Sequence, residues 1–294
     1  MSAIEKHYGI VVGVDGSPSS NFAVCWAARD AAMRNVPLTL VHMLKAFVPT
    51  FAQIPMPTGA AVWQEDDGRR VLEEAIKIAQ DATTTPGKIK ISSEMNWSPP
   101  VPKLVKLSNE AEMVVVGSNG RGAVGRLLLG SVSSAVVRNA SCPVAVIHDD
   151  PVMPHPHQAP VLVGIDGSPA SELATAIAFD EASRRGVGLM ALQTWSDAEV
   201  FDFSVVDWTA VKAEAERSLA EGLAGWQERY PDVTVHRLVV LDRPARQLIE
   251  QSKLAQLVVV GSHGRGGLTG ALLGSVSNAA VHAVHTPVIV ARPS

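Results

Sequence analysis

Two glycine-bearing segments have the residue types and spacing to hold a phosphate chain. Gly117-x2-Gly120-x9-Gly130-Ser131 returns as Gly261-x2-Gly264-x9-Gly274-Ser275. Each follows a valine run, Val114 to Val116 and Val258 to Val260, that reads as a buried strand. Glycine at a strand exit admits positive φ and lets backbone N–H groups approach an anion, while a helix starting at the Gly-Ser pair adds the positive end of its dipole. The hydroxyls of Ser131, Ser133, Ser275 and Ser277 are expected to cap that helix and to donate to phosphate oxygens. An acidic residue, Asp15 or Asp166, closes the first apolar run of each half, where a carboxylate can meet a ribose hydroxyl or a magnesium ion bridging phosphates. Arg121 and Arg265 lie beside the glycines, either to neutralise phosphate charge or as solvated loop arginines.

A tight turn would explain one such glycine loop, and an Asx-type cap one such Asp. Both features occurring twice, with spacing kept while neighbours drift, favours a ligand. Gly117→Ala is accordingly expected to weaken binding far more than folding. The rival dinucleotide pattern Gly120-x-Gly122-x-x-Gly125 follows the fourth strand instead of the first, and the second copy has Thr269 in place of its last glycine. It is read as accidental. No GxxxxGK[ST] loop occurs, which excludes a P-loop NTPase. No residue offers itself as a positioned base for water in either copy, an argument against efficient turnover.

The elements that must position these residues also come twice. Val12-Gly13-Val14-Asp15-Gly16-Ser17-Pro18 matches Val163-Gly164-Ile165-Asp166-Gly167-Ser168-Pro169, and Leu129-Gly130-Ser131-Val132-Ser133 matches Leu273-Gly274-Ser275-Val276-Ser277. The offset falls from 151 to 144 within the Pro-rich stretch between Leu44 and Trp63, where an insertion is cheapest in a surface loop. The residues from His148 to Pro160 form a proline-stiffened linker between domains at 1–150 and 158–294. Its His155 and His157 make a weak metal site at most. Short apolar runs alternate with helical patterns, the signature of β-α-β units, a parallel sheet and an α/β fold. The strands of the first copy are expected near Gly9 to Val14, Leu38 to Met43, Ile89 to Glu94, Met113 to Val116 and Val144 to Ile147. Helices are expected after Ser17-Pro18, with Phe22, Cys25 and Trp26 on one face, then over Glu65 to Ala82, Val101 to Asn109, and from Gly130-Ser131.

Composition narrows the field. At 294 residues the chain suits about two domains. A net charge of -4 gives no global field for nucleic acid or an anionic membrane. The apolar runs are too short to span a bilayer and the N-terminus has no signal-like core, so the chain reads as cytoplasmic. Cys25 and Cys142 form no CxxC pair and read as reduced, buried thiols.

On the glycine motif and the Asp after the first strand, nearly the whole chain resembles, twice over, the ATP-binding type of universal stress protein. It is similar to tandem members induced under hypoxia and dormancy. That resemblance implies two open five-stranded parallel sheets of order 3-2-1-4-5 with helices on both faces, an adenine-nucleotide α-hydrolase-like fold, with domains paired through their last strands. It implies ATP, with or without magnesium at Asp15 and Asp166, held by Gly117, Gly120, Gly130, Ser131, Val132 and Ser133, and by Gly261, Gly264, Gly274, Ser275, Val276 and Ser277. It places adenine at the backbone of the second strand, around Val41 and its counterpart Leu192, and makes a homodimer of tandem chains the expected assembly. The leading functional expectation is a non-catalytic ATP-binding protein that senses or signals nucleotide state and restrains growth under stress. The alternatives are a hydrolase or transferase acting at the α-phosphate, which would be expected to carry a Ser-Gly-Gly-x-Asp-Ser loop absent here, and an assembly module with no ligand.

Overall fold

The computed structural model describes residues 8–44, 60–83, 89–121, 129–148, 158–195, 208–264 and 273–293. His155, His157 and Arg265 lie outside the described residues. The chain divides between Asp149 and Asp150 into two compact units.

Unit 1 runs β1 (Ile10–Val14), α1 (Pro18–Arg34), β2 (Leu38–Leu44), α2 (Ala60–Ala82), β3 (Ile91–Trp97), α3 (Pro100–Leu107), β4 (Met113–Gly117), α4 (Ser131–Asn139) and β5 (Val144–Ile147). Its five strands are all parallel in the order β3-β2-β1-β4-β5, with Gly13 opposite Val41, Val12 opposite Val115 and Gly117 opposite Ile147. Unit 2 runs β6 (Val161–Ile165), α5 (Pro169–Arg185), β7 (Leu189–Trp195), α6 (Trp208–Arg229), β8 (Val235–Leu241), α7 (Pro244–Ser252), β9 (Leu257–Gly261), α8 (Ser275–Ala283) and β10 (Val288–Ala291). It repeats the topology as β8-β7-β6-β9-β10. The central strands are valine-rich because helices cover both faces of the sheet and leave no polar side. Among the described residues no helix is long and apolar enough to cross a membrane.

Three local expectations need correction. The third strand begins and ends two to three residues later than its isoleucines suggest, at Ile91–Trp97. It is an edge strand with no fully buried residue, and so accepts Ser92, Ser93, Glu94 and Asn96 without an apolar pattern. Helix α1 does not bury Phe22, Cys25 and Trp26: Phe22 is 41% exposed and Cys25 is an unbonded thiol only partly covered, whereas Cys142 is buried. The core face is instead made of small residues, Ala23, Val24, Ala27, Ala28 and Ala31, because the helix axis lies close against β1, β4 and β5. Helix α2 starts at Ala60, a turn before the charged residues that mark it in the sequence.

The first helix of each unit is bounded by specific chemistry. Ser17 and Ser168 are N-caps whose hydroxyls accept the N–H of Ser20 at 3.3 Å and of Ser171 at 3.2 Å, with Pro18 and Pro169 following. At the far end the chain turns left-handed, at Asn35 with φ 54° in unit 1 and at Gly186 with φ 64° in unit 2. A Cβ at Gly186 would touch nothing within 4 Å, so only backbone strain opposes a side chain there. Gly186→Ala should cost about 1–2 kcal/mol of stability and Gly186→Asn clearly less, as read by urea unfolding. Equal costs for the two would show that φ is not what selects this residue.

Candidate functional site

The chain winds from β1 outward through β2 and β3, then crosses back to β4. This reversal leaves a crevice at the carboxyl ends of β1 and β4, the place where open parallel sheets bind ligands. Asp15 follows β1 and holds the crevice together. The Ser17 N–H donates to its Oδ1 at 2.9 Å, the Arg121 N–H donates to its Oδ2 at 3.1 Å, and its own N–H donates to Ser20 Oγ at 3.2 Å. The Ser17 hydroxyl donates to the Asn119 carbonyl at 3.2 Å, and the Ser19 hydroxyl donates to the same oxygen. Unit 2 repeats the design: the Ser168 N–H donates to Asp166 Oδ1 at 2.9 Å, the Asp166 N–H to Ser171 Oγ at 3.1 Å, and the Ser168 hydroxyl to the His263 carbonyl at 3.3 Å. The carboxylate thus closes an Asx-type turn in both units, and in unit 1 it also fastens the β1–α1 turn to the loop leaving β4.

The glycines act differently from the expectation. Positive φ falls at Gly16 (75°) and Gly167 (77°), directly after the aspartates, and not at any of the described motif glycines. Gly117 and Gly261 are small because the first turn of the next-door helix passes over them. A Cβ on Gly117 would meet the Ser19 carbonyl carbon at 2.7 Å and the Ser20 nitrogen at 2.8 Å, and one on Gly261 the Ala170 carbonyl carbon at 2.8 Å. Gly120 and Gly264 clear the carboxylates, since a Cβ would come within 2.8 Å of Asp15 Oδ2 and 2.5 Å of Asp166 Oδ2.

Gly130 and Gly274, not the serines, are the N-caps of α4 and α8, and neither supplies a side-chain cap. Ser131, Val132 and Ser133 therefore carry the first-turn N–H groups that have no acceptor inside the helix, as do Ser275, Val276 and Ser277. The expected capping and phosphate-donating hydroxyls are corrected at Ser133 and Ser277. Each hydroxyl is buried and donates its single proton to a strand-end carbonyl, Gly117 at 2.6 Å and Gly261 at 2.5 Å, so only the backbone N–H remains for an anion.

These groups face a cavity in each unit. That of unit 1, about 800 Å³, is lined by Asp15, Gly117, Gly120, Gly130, Ser131, Val132 and Ser133. That of unit 2, about 330 Å³, is lined by Asp166, Leu192, Gly261, Gly264, Gly274, Ser275, Val276 and Ser277. Val41 is the exception: it is fully buried opposite Gly13, and the wall is formed by the next residues of β2, His42, Met43 and Leu44. His42 is itself fixed by Nδ1 donating to the Val14 carbonyl at 2.7 Å. Sequence reasoning also missed Trp63, Gln64 and Asp67 of α2, which line the unit 1 cavity. Their spacing puts them on one helix side, but Asp67 sits within a run of acids that looks merely solvated. Arg121 Nη1 pairs with Asp67 Oδ2 at 2.6 Å, and Arg70 with Asp67 Oδ1 at 2.8 Å. The hydrogen bond from Arg121 holds the Asp67 carboxyl below the usual carboxylate range, against the opposing effect of desolvation.

Among the described residues no group of three or more His, Cys, Asp or Glu side chains could hold a metal ion. With Asp15 tied to backbone N–H groups and Asp67 to arginines in unit 1, and Asp166 the acid lining the unit 2 cavity, magnesium fits only as an ion that arrives on phosphate oxygens and completes its shell with water.

A doubly wound parallel sheet with a glycine-lined cavity at its carboxyl edge, built twice in one chain, defines a tandem open-sheet α/β protein. The chain belongs to the universal stress protein family, whose model matches residues 9–148 and again 159–292. It is 63% identical over 295 aligned residues to Universal stress protein Rv2005c of Mycobacterium tuberculosis, covering 100% of both chains. It is 54% identical to Universal stress protein Rv2623 of the same organism, over 100% of this chain and 99% of that one. A crystal structure of a universal stress protein from Archaeoglobus fulgidus shares the fold at 20% identity and a TM-score of 0.71, covering 98% of this chain and 100% of the other.

Two outcomes follow from the geometry. Gly117→Ala and Gly261→Ala should each destabilise the ligand-free protein by about 1–3 kcal/mol through overpacking against backbone, as measured by denaturant unfolding. An unchanged unfolding midpoint would contradict the close approach. For Asp67, a folded pKa below its unfolded value means that the ion pair stabilises fully above the ordinary carboxyl range and is lost as pH falls through the lowered value. Carboxyl titration by NMR should place Asp67 below the reference value of 3.8, and a midpoint at or above it would remove the ion pair from solution.

Proposed function

We propose that this chain is a receptor for adenine nucleotide with one site in each unit, taking ATP with or without a magnesium ion. Its role is to sense or signal nucleotide state under stress such as hypoxia or dormancy and to restrain growth, without efficient turnover. The observation that carries the reading is the pairing, twice, of an uncapped helix start with a glycine-lined strand exit on one cavity wall. First-turn N–H groups and the helix dipole favour a phosphate there, and the glycines keep side chains from filling the space. Part of the remaining unit 1 lining is apolar, with Met43, Leu44, Leu104 and Val116 offering a surface for a planar base.

Against catalysis stands the engagement of both carboxylates lining the unit 1 cavity, Asp67 being paired with Arg121 and Arg70. In unit 1 both Asp15 oxygens already accept backbone N–H groups, which commits that carboxylate to holding loops and suits it poorly to activating water.

Calorimetric titration of nucleotide-stripped protein with ATP should settle at up to two sites per chain. A stoichiometry of zero would overturn the reading, and one would confine it to a single unit. Incubation with ATP should release neither ADP nor pyrophosphate at a rate above about one turnover per hour, well below ordinary enzyme rates. Turnover faster than that, with pyrophosphate as product, would favour chemistry at the α-phosphate.

A further inference from the structure

The two cavities differ at their mouths in a way the repeat does not explain. In unit 1 Arg121 leaves the end of β4 and folds back over the β1–α1 turn, so close that a Cβ on Gly16 would meet its Nη2 at 2.5 Å. From there it crosses to Asp67 on α2, with both side chains on the cavity wall. The two are 48% and 38% exposed, which places the pair at the rim of the cavity instead of in the core. Unit 2 has no acid at the matching position. Aligning Trp63 with Trp208 brings Lys212 opposite Asp67, and aligning the glycine motifs brings Val211.

A carboxylate at the rim of an anion-binding cavity repels the ligand it faces. Its useful effect is on Arg121, whose guanidinium it holds over the turn that carries Asp15. We propose that Arg121 is the phosphate-facing cation of unit 1 and Asp67 its resting partner, which a phosphate chain displaces. The pair then makes unit 1 discriminate among adenine compounds by phosphate charge, through an acid that has no counterpart at the aligned position of unit 2. Adenosine, having no phosphate, leaves the ion pair intact and is indifferent to Asp67. ATP must compete with Asp67 for Arg121, and the competing term is of the size of an exposed ion pair. This inference rests on the nucleotide reading above.

Titration of the full chain with ATP and with adenosine, unit 2 serving as internal reference in a two-site fit, tests it. Asp67→Asn should tighten ATP at unit 1 by about two- to fivefold and leave adenosine unchanged. Asp67→Glu, which keeps the charge, should behave as the unmodified chain. Arg121→Gln should weaken ATP by about threefold or more and spare adenosine. If Asp67→Asn weakens ATP, leaves it unchanged, or shifts ATP and adenosine by the same factor, the proposal falls while ATP binding by the unmodified chain still upholds the nucleotide reading. An unmodified chain that binds neither compound overturns both.

Discussion

Everything at the cavity depends on one close approach, the first turn of the helix after β1 lying against the last residue of β4. At Gly117 the backbone of Ser19 and Ser20 occupies the place of a side chain, and at Gly261 the backbone of Ala170 and Ser171 does the same. This contact brings the Ser17 and Ser19 hydroxyls to the Asn119 carbonyl and sets Asp15 within reach of the Arg121 N–H. Each such hydrogen bond contributes only about 0.5–1.5 kcal/mol net, but their loss would leave part-buried polar groups unpaired, a larger penalty. The described residues leaving β4, 118–121, are therefore tied to the turn between β1 and α1.

The two units reach the same frame with different packing. Unit 1 places Ala28 in the core of its first helix, whereas unit 2 places Phe179 there, stacked against Trp226 at 6.0 Å and Tyr230 at 5.7 Å between ring centroids. The larger side chain is accommodated from α6 and its end, away from the strand exits, so the cavity frame does not have to move. At the cavity itself Met43 is matched by Thr194, and Asn119 by His263, whose Nδ1 lies 3.1 Å from Ser262 Oγ. Two cavities with one backbone plan thus present different side chains to what enters them.

Much of this plan is legible in the sequence, because it is written in spacing. The repeat locates both units, the valine runs locate the central strands, and Ser17-Pro18 and Ser168-Pro169 mark helix starts by a chemistry that acts within four residues. What sequence misjudged depends on contacts between distant segments. Gly117 looks like a residue chosen for its φ, but its constraint comes from a helix about a hundred positions earlier. Ser133 looks like a phosphate donor, but its proton goes to the carbonyl of a strand 16 residues back. Val41 is one residue short of the wall, whereas its counterpart Leu192 lines the unit 2 cavity in the same strand register, a difference that spacing does not show. Trp63 and Asp67 carry no motif at all, and only the packing of α2 over β2 brings them to the cavity.

A cavity wall built from backbone accounts for why spacing is the part that recurs. A peptide N–H is supplied by every residue type except proline, so a first helical turn can receive an anion whatever side chains it bears, provided the chain arrives at the right height and no Cβ stands in the way. The demands on sequence then reduce to glycine at the points of close approach and a fixed count of residues between them. Side chains at the remaining positions are free to differ, as Asn119 and His263 do, without disturbing the frame. The same freedom lets the two units differ through the side chains carried on a common frame, among them in unit 1 the charged pair Arg121 and Asp67.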